Sequence, residues 1–241
     1  MTTLLRIELA SLRRSRVLWL AALLVVGGSL VARMLTWVSR ALGRSELGVL
    51  LWNHPSVGWS DVAIPLMLLA YLIVTAYAFG RDFEDGTVDL VLTAPVRREA
   101  VVLARMTVVA ACLVVLSLVG WLADVALHAV LATSSLDPGG LATPGAVLGA
   151  SVAGVATLPL VAWAAIRFRG VLPALGLGIA IQVAVLALAG LATVQLLPWF
   201  LPLTLASGGS ALWYSFVLAF VLFLGGLVAT LGSFRTVDLY E

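Results

Sequence analysis

The chain has 241 residues, 62% of them hydrophobic and 11% charged, with a mean hydropathy of +1.14 and a formal net charge of +2. A soluble domain carries about 25% charged residues, so these charges are too few to coat a water-facing globule, which excludes a soluble enzyme, a disordered tail and a nucleic-acid-binding domain. All 14 basic residues are arginine, so there is no lysine for a P-loop or a Schiff base, and the single Cys112 allows neither an intrachain disulfide nor a cysteine metal cluster.

The apolar residues fall in six blocks close to the roughly 20 residues that a helix needs to cross a bilayer. They are Leu/Ala/Val runs, not the short alternating segments of a barrel, so the expected fold is an all-α, single-domain protein of six transmembrane helices. Ahead of them, residues 2–15 read as a short interfacial helix, with Leu4, Leu5, Leu9 and Leu12 on one stripe and Glu8 intruding. The first span is predicted over 17–35. A cleaved signal peptide is the other reading of this basic start, but its removal leaves five spans and puts the arginine-rich loops on inconsistent sides. A long outer loop over 33–61 then carries Arg33, Trp37, Arg40, Trp52, His54, Pro55 and Trp59, with a small helix expected over 41–51. Span two, over 62–79, has Tyr71, Thr75 and Tyr77 towards one side; these either line a path or serve packing and interfacial anchoring.

The stretch after span two is the most informative. It reads Arg81-Asp82-Phe83-Glu84-Asp85-Gly86-Thr87-Val88-Asp89-Leu90-Val91-Leu92-Thr93-Ala94-Pro95-Val96-Arg97-Arg98. Gly86 permits a sharp turn, Thr87 suits a helix N-cap, and Asp89 in the first turn suits the helix dipole. Pro95 cannot continue the hydrogen bonding. The expected product is a short helix of about two turns with apolar residues facing water, a surface that usually marks a contact.

Span three is predicted over 101–127, long enough to tilt or project. Near its outer end Asp124 and His128 are four apart, on one face, either as a functional pair or paired at the boundary with each other or with Arg33. A turn at Asp137-Pro138-Gly139-Gly140 precedes span four, over 146–166, where Gly145, Gly149 and Ala153 repeat at the spacing that lets helices approach closely. Pro159 and Pro173 mark kinks or hinges. Span five, over 174–197, holds Gln182, a donor to a neighbouring helix or to a substrate. A short uncharged loop over 198–209 leads to span six, over 212–231.

Six spans put Arg6, Arg13, Arg14, Arg16, Arg81, Arg97, Arg98, Arg105, Arg167, Arg169 and Arg235 on one side and Arg33, Arg40 and Arg44 on the other. By the positive-inside rule both termini are then cytoplasmic, and Trp52, Trp59, Trp199 and Trp213 fall near the outer boundaries.

The acidic cluster, Gly-Thr, an acid, a Leu-rich turn, Pro and an Arg pair between spans two and three of six resemble the ABC-2 type permeases of ATP-binding-cassette exporters. Most similar are the small bacterial permeases of bacitracin resistance and lantibiotic immunity. The opening Leu5-Arg6-Ile7-Glu8-Leu9 followed by Arg13-Arg14-Ser15-Arg16 is similar to that family's interfacial helix. The resemblance implies a permease of the bacterial cytoplasmic membrane with no nucleotide site or cofactor of its own. ATP and Mg would sit on a separate cytoplasmic ATPase, and a second permease copy would complete the path. Glu84, Asp85, Gly86, Thr87, Asp89, Leu90, Val91 and Pro95 would form the coupling helix docked on that ATPase. Tyr71, Thr75, Gln182, Asp124 and His128 are the candidate path residues. The substrate implied is an amphipathic peptide, antibiotic or lipid-like molecule.

Two other functions fit less well. A haem-export permease shares the size and layout. Asp85-Gly86-Thr87-Val88-Asp89 is similar to the start of the Asp-Gly-x-x-Ala-Arg signature of membrane phospholipid synthases, but Asp89-Leu90 stands where Ala-Arg is required. A membrane zinc protease is excluded by the lack of His-Glu-x-x-His.

Overall fold

The computed structural model describes residues 2–41, 59–93, 97–131, 144–187, 197, 201 and 213–235. The regular elements among them are helical. α1 (Thr2–Arg14) passes through Ser15 into α2 (Arg16–Ala41). There follow α3 (Trp59–Glu84), the short α4 (Val88–Thr93), α5 (Arg98–Leu131), α6 (Pro144–Arg167), α7 (Val171–Ala187) and α8 (Trp213–Arg235).

Among the described residues, five segments are long and apolar enough to cross a bilayer: Arg16–Leu35, Val62–Glu84, Arg98–Val130, Val147–Arg167 and Trp213–Arg235. The span expected over 174–197 is present as α7, which starts at Val171 and has 17 residues. Its apolar part, Val171–Val185, is short of a full crossing, and residues 188–196 lie outside the described ones. The expected helix over 41–51, the turn at 137–140 and the loop at 198–209, apart from Leu201, also lie outside them.

Two arginines that the sequence counted with the two membrane sides lie inside helices. α2 continues to Ala41, so Arg33 lies inside a helix and is buried. Its charge is matched within the bundle by Asp124 and does not require water. α5 starts at Arg98, which draws Arg105 two turns into a buried helix position; there too the charge is matched by carboxylates.

The centre of the bundle is α3 and α6, each 67% buried along its crossing segment, while α8, at 22%, lies on the rim. Small residues allow this closeness. A Cβ on Gly154 of α6 would lie 2.4 Å from the Tyr71 ring of α3, one position along from the expected Gly145/Gly149/Ala153 stripe. Tyr71 hydroxyl hydrogen-bonds Ser117 of α5, and Ser151 of α6 donates to the same Ser117 oxygen at 2.7 Å. Three helices thus share one buried hydroxyl chain, which meets the demand for partners inside the bilayer. Pro65 and Pro159 lie inside α3 and α6, and their carbonyls accept bonds from neighbours. Gln182 of α7 donates to Pro65 O at 2.7 Å, and Thr230 of α8 donates to Pro159 O at 2.8 Å.

Candidate functional site

The site is built at the end of the bundle that carries α1, α4 and the α6–α7 turn. α3 terminates in a Schellman motif: Thr87 N donates to Asp82 O at 2.9 Å, and Gly86 takes a φ of +65°. Glycine takes this conformation without the steric strain that a side chain adds. Thr87 then stands immediately before α4, its carbonyl accepting from Leu90 N at 3.1 Å. Within α4, Val88 packs against the core of the bundle. Leu90 points the other way, 73% exposed. Asp85 is also exposed. The side chains of Asp89 and Val91, and all of Pro95, lie outside the described residues.

Two connections fix the end of α3, from which this short helix follows. The first is a buried ring of alternating charge beneath it. Arg105 of α5 bonds Glu8 of α1 at 2.9 Å and Asp82 of α3 at 2.7 Å. Arg81 bonds the same two carboxylates at 3.4 and 3.3 Å. Two acids and two arginines leave no net charge, and each buried charge has an opposite partner, the condition for tolerating it away from water. Arg81 and Arg105 also lie over the rings of Tyr77 and Phe79, at 5.7 and 5.8 Å, where cation–π attraction adds to the fit. Glu8 is therefore no intrusion on the apolar stripe of α1; it is the side chain that ties α1 to α3 and α5.

The second connection uses Glu84, whose Oε1 accepts from the backbone N–H of Val171 at 2.8 Å, at the start of α7. Such a carboxylate satisfies one of the free N–H groups of a helix N-terminus and suits its dipole. Alongside it, Gly80 lies against the α6–α7 turn, where an added Cβ would be 2.7 Å from Val171 N. That turn is itself a Schellman motif, with Gly170 N bonded to Ala165 O at 3.1 Å and Arg169 at φ +53°. Beyond these, Arg235 at the end of α8 pairs with Glu99 of α5.

The candidate path residues have separate partners. Tyr71 and Thr75 are buried in the core, Tyr71 on Ser117, and Gln182 is engaged with Pro65. Asp124 accepts two bonds from Arg33, Nε to Oδ1 and Nη2 to Oδ2, both at 2.6 Å. Arg33 Nη1 lies 3.3 Å from His128 Nδ1. A guanidinium only donates, so Nδ1 accepts and the ring proton is on the buried Nε2, which has no partner among the described residues. Among the described residues no group of three or more His, Cys, Asp or Glu is placed to hold a metal ion.

The charge ring was missed by the sequence reading, although its signals were present: an acid on an apolar stripe, and an arginine inside an apolar block. A charge at a buried register needs an opposite one nearby.

A multi-pass helical membrane protein with an exposed leucine on a short helix held between two crossings is the class that this architecture defines. The family described as ABC-2 family transporter protein matches residues 4–185, more than half of the chain, and the chain belongs to that family. It is a permease component of an ABC transporter, and the family implies association with an ABC ATPase subunit. The matched stretch runs from α1 through most of α7 and stops short of α8. No curated protein matches the chain.

Proposed function

We propose that this chain is the permease of an ATP-driven exporter in a bacterial cytoplasmic membrane, with both termini in the cytoplasm. Two copies pair to form the path, and α4 is the coupling helix that docks on separate ATPase subunits. The observation that carries this reading is Leu90, a large apolar side chain 73% exposed on a helix whose other side, at Val88, is anchored on the core. Beside the charged residues Glu84 and Asp85, an exposed leucine on a six-residue helix is the side chain that an apolar groove on a partner would bury.

In this reading ATP-driven closure of the ATPases moves α4 as a rigid piece. The charge ring passes the movement to α1 and α5, and the Glu84–Val171 bond passes it to α7. ATP and Mg belong to the ATPase. The substrate class is an amphipathic peptide, antibiotic or lipid-like molecule. The decisive experiment is co-purification of the chain with the ATPase encoded by the adjacent reading frame. Leu90→Asp places a charge in the apolar contact and is expected to abolish recovery of the ATPase while the permease stays monodisperse in detergent. Undiminished recovery would remove α4 from the docking surface. Export by reconstituted vesicles supplied with ATP tests the direction.

A further inference from the structure

Beside α4 lies an open polar cleft of about 360 Å³, lined by the end of α1, by Ser15 and by the last two turns of α3 with the Gly86 turn. That volume is within the range of small-molecule sites, about 300–1,000 Å³. Its charges are of two kinds. Arg81 and Asp82, which line the cleft, belong to the neutral ring. Arg14, from the end of α1, and Asp85, from the close of α3, also line it; both are exposed and neither has a charged partner among the described residues. Tyr77 and Thr87 add hydroxyl donors to the lining.

The height of the cleft restricts what can enter. Its residues flank the start of one crossing segment at Arg16 and the end of another at Glu84, which is the level of lipid headgroups. Below it, Trp19 and Leu23 of α2 are exposed, one and two turns into the crossing, and offer acyl chains an apolar surface. A cleft with one uncommitted cation and one uncommitted carboxylate matches a ligand that carries both charges. Phosphate oxygens are recognised by a guanidinium and hydroxyls, and a primary ammonium by a carboxylate through N–H bonds. A purely anionic headgroup would leave Asp85 facing the phosphate, and a quaternary ammonium has no N–H to give.

The geometry points to a binding site for a phosphate joined to a primary ammonium, supplied by a phosphatidylethanolamine headgroup of the leaflet that α1 lies against. Arg14 holds the phosphate and Asp85 the ammonium. The site needs only the membrane placement of α2 and α3; it takes Asp85 and Thr87 as lipid contacts in place of the ATPase contacts expected of them, and docking through Leu90 of α4 is a separate matter.

The test is native mass spectrometry and thermal unfolding of the full chain in detergent, without the ATPase. Phosphatidylethanolamine, phosphatidylcholine and phosphatidylglycerol of identical acyl chains are compared. Phosphatidylethanolamine is expected to be retained and to raise the unfolding midpoint most. Arg14→Gln should weaken its retention about tenfold, the scale of one charge-assisted contact. Asp85→Asn should weaken it likewise and bring phosphatidylglycerol level with it, a reversal that general lipid adhesion does not give. Equal retention of the three lipids by the unaltered chain would overturn the site, as would an unchanged lipid order in both variants. Protection by free phosphoethanolamine that lipid does not displace would assign the cleft to a soluble ligand and overturn the lipid source. Photocrosslinking from position 14 in the complex that captures the ATPase and no lipid would do the same.

Discussion

Within the bundle the charged side chains are fixed in pairs, and each pair predicts its own mutational pattern. Asp124 is fully buried and Arg33 is 8% exposed, joined through two bonds of 2.6 Å. Asp124→Asn leaves the guanidinium without its counter-charge and is expected to destabilise by about 3–5 kcal/mol. Replacing both residues with leucine should restore most of that loss. His128→Leu, by contrast, removes an unpartnered buried donor, a group that itself costs about 1–3 kcal/mol, and should be neutral or stabilising. Thermal unfolding of the four proteins in one detergent checks the order. Equal losses for Asp124→Asn and His128→Leu would show the two acting as one site. At this scale the sequence was readable wherever the determinant was local. The four-residue spacing of Asp124 and His128 placed them on one face, and Gly86 adopts the turn that its lack of a side chain allows. It assigned Glu84 to the ATPase contact and gave no sign of the bond to Val171, because the two are 87 residues apart and a helix N-terminus leaves no mark on a distant carboxylate.

Between helices, what matters is how firmly α4 is joined to the rest. Gly80 and Glu84 form one contact with the α6–α7 turn. The atoms nearest an added Cβ at Gly80 are Val171 N and Gly170 C, at 2.7 and 2.8 Å. These are backbone atoms, so the clash cannot be relieved by a rotamer change. Gly80→Ala is expected to push α3 off the turn and to cost about 1–3 kcal/mol, the usual range for overpacking. Glu84→Gln keeps an acceptor but loses the charge facing the α7 dipole. It is expected to leave ATPase recovery intact while lowering substrate-stimulated ATP turnover in vesicles, whereas Leu90→Asp loses both. Loss of ATPase recovery in Glu84→Gln would return Glu84 to the docking surface. Helix positions were largely legible, because long Leu/Ala/Val blocks admit little else at this length. The ends were less so: α2 runs on to Ala41 and α5 spans Arg98–Leu131, and the arginines within them, Arg33 and Arg105, are neutralised by partners on other helices that no local pattern reveals.

For the molecule in its membrane, the controlling question is which end faces the cytoplasm. Eleven arginines fall at or near the end that carries α1, α4, the α6–α7 turn and the close of α8, if six crossings are made. α8 fixes the opposite boundary. Its 23 residues rise about 1.5 Å each, enough to cover a hydrocarbon core of about 30 Å from Arg235 to the exposed Trp213. Leu90 and Trp213 are therefore expected on opposite sides. Cys112 is partly buried in α5, and Cys112→Ser gives a thiol-free background. A membrane-impermeant maleimide applied to intact cells should then label Trp213→Cys and spare Leu90→Cys. Inside-out vesicles should give the reverse. Labelling of Leu90→Cys on intact cells would place α4 where no ATPase can reach it, and the charge ring would then lie at the outer face, against the arginine bias of the whole chain.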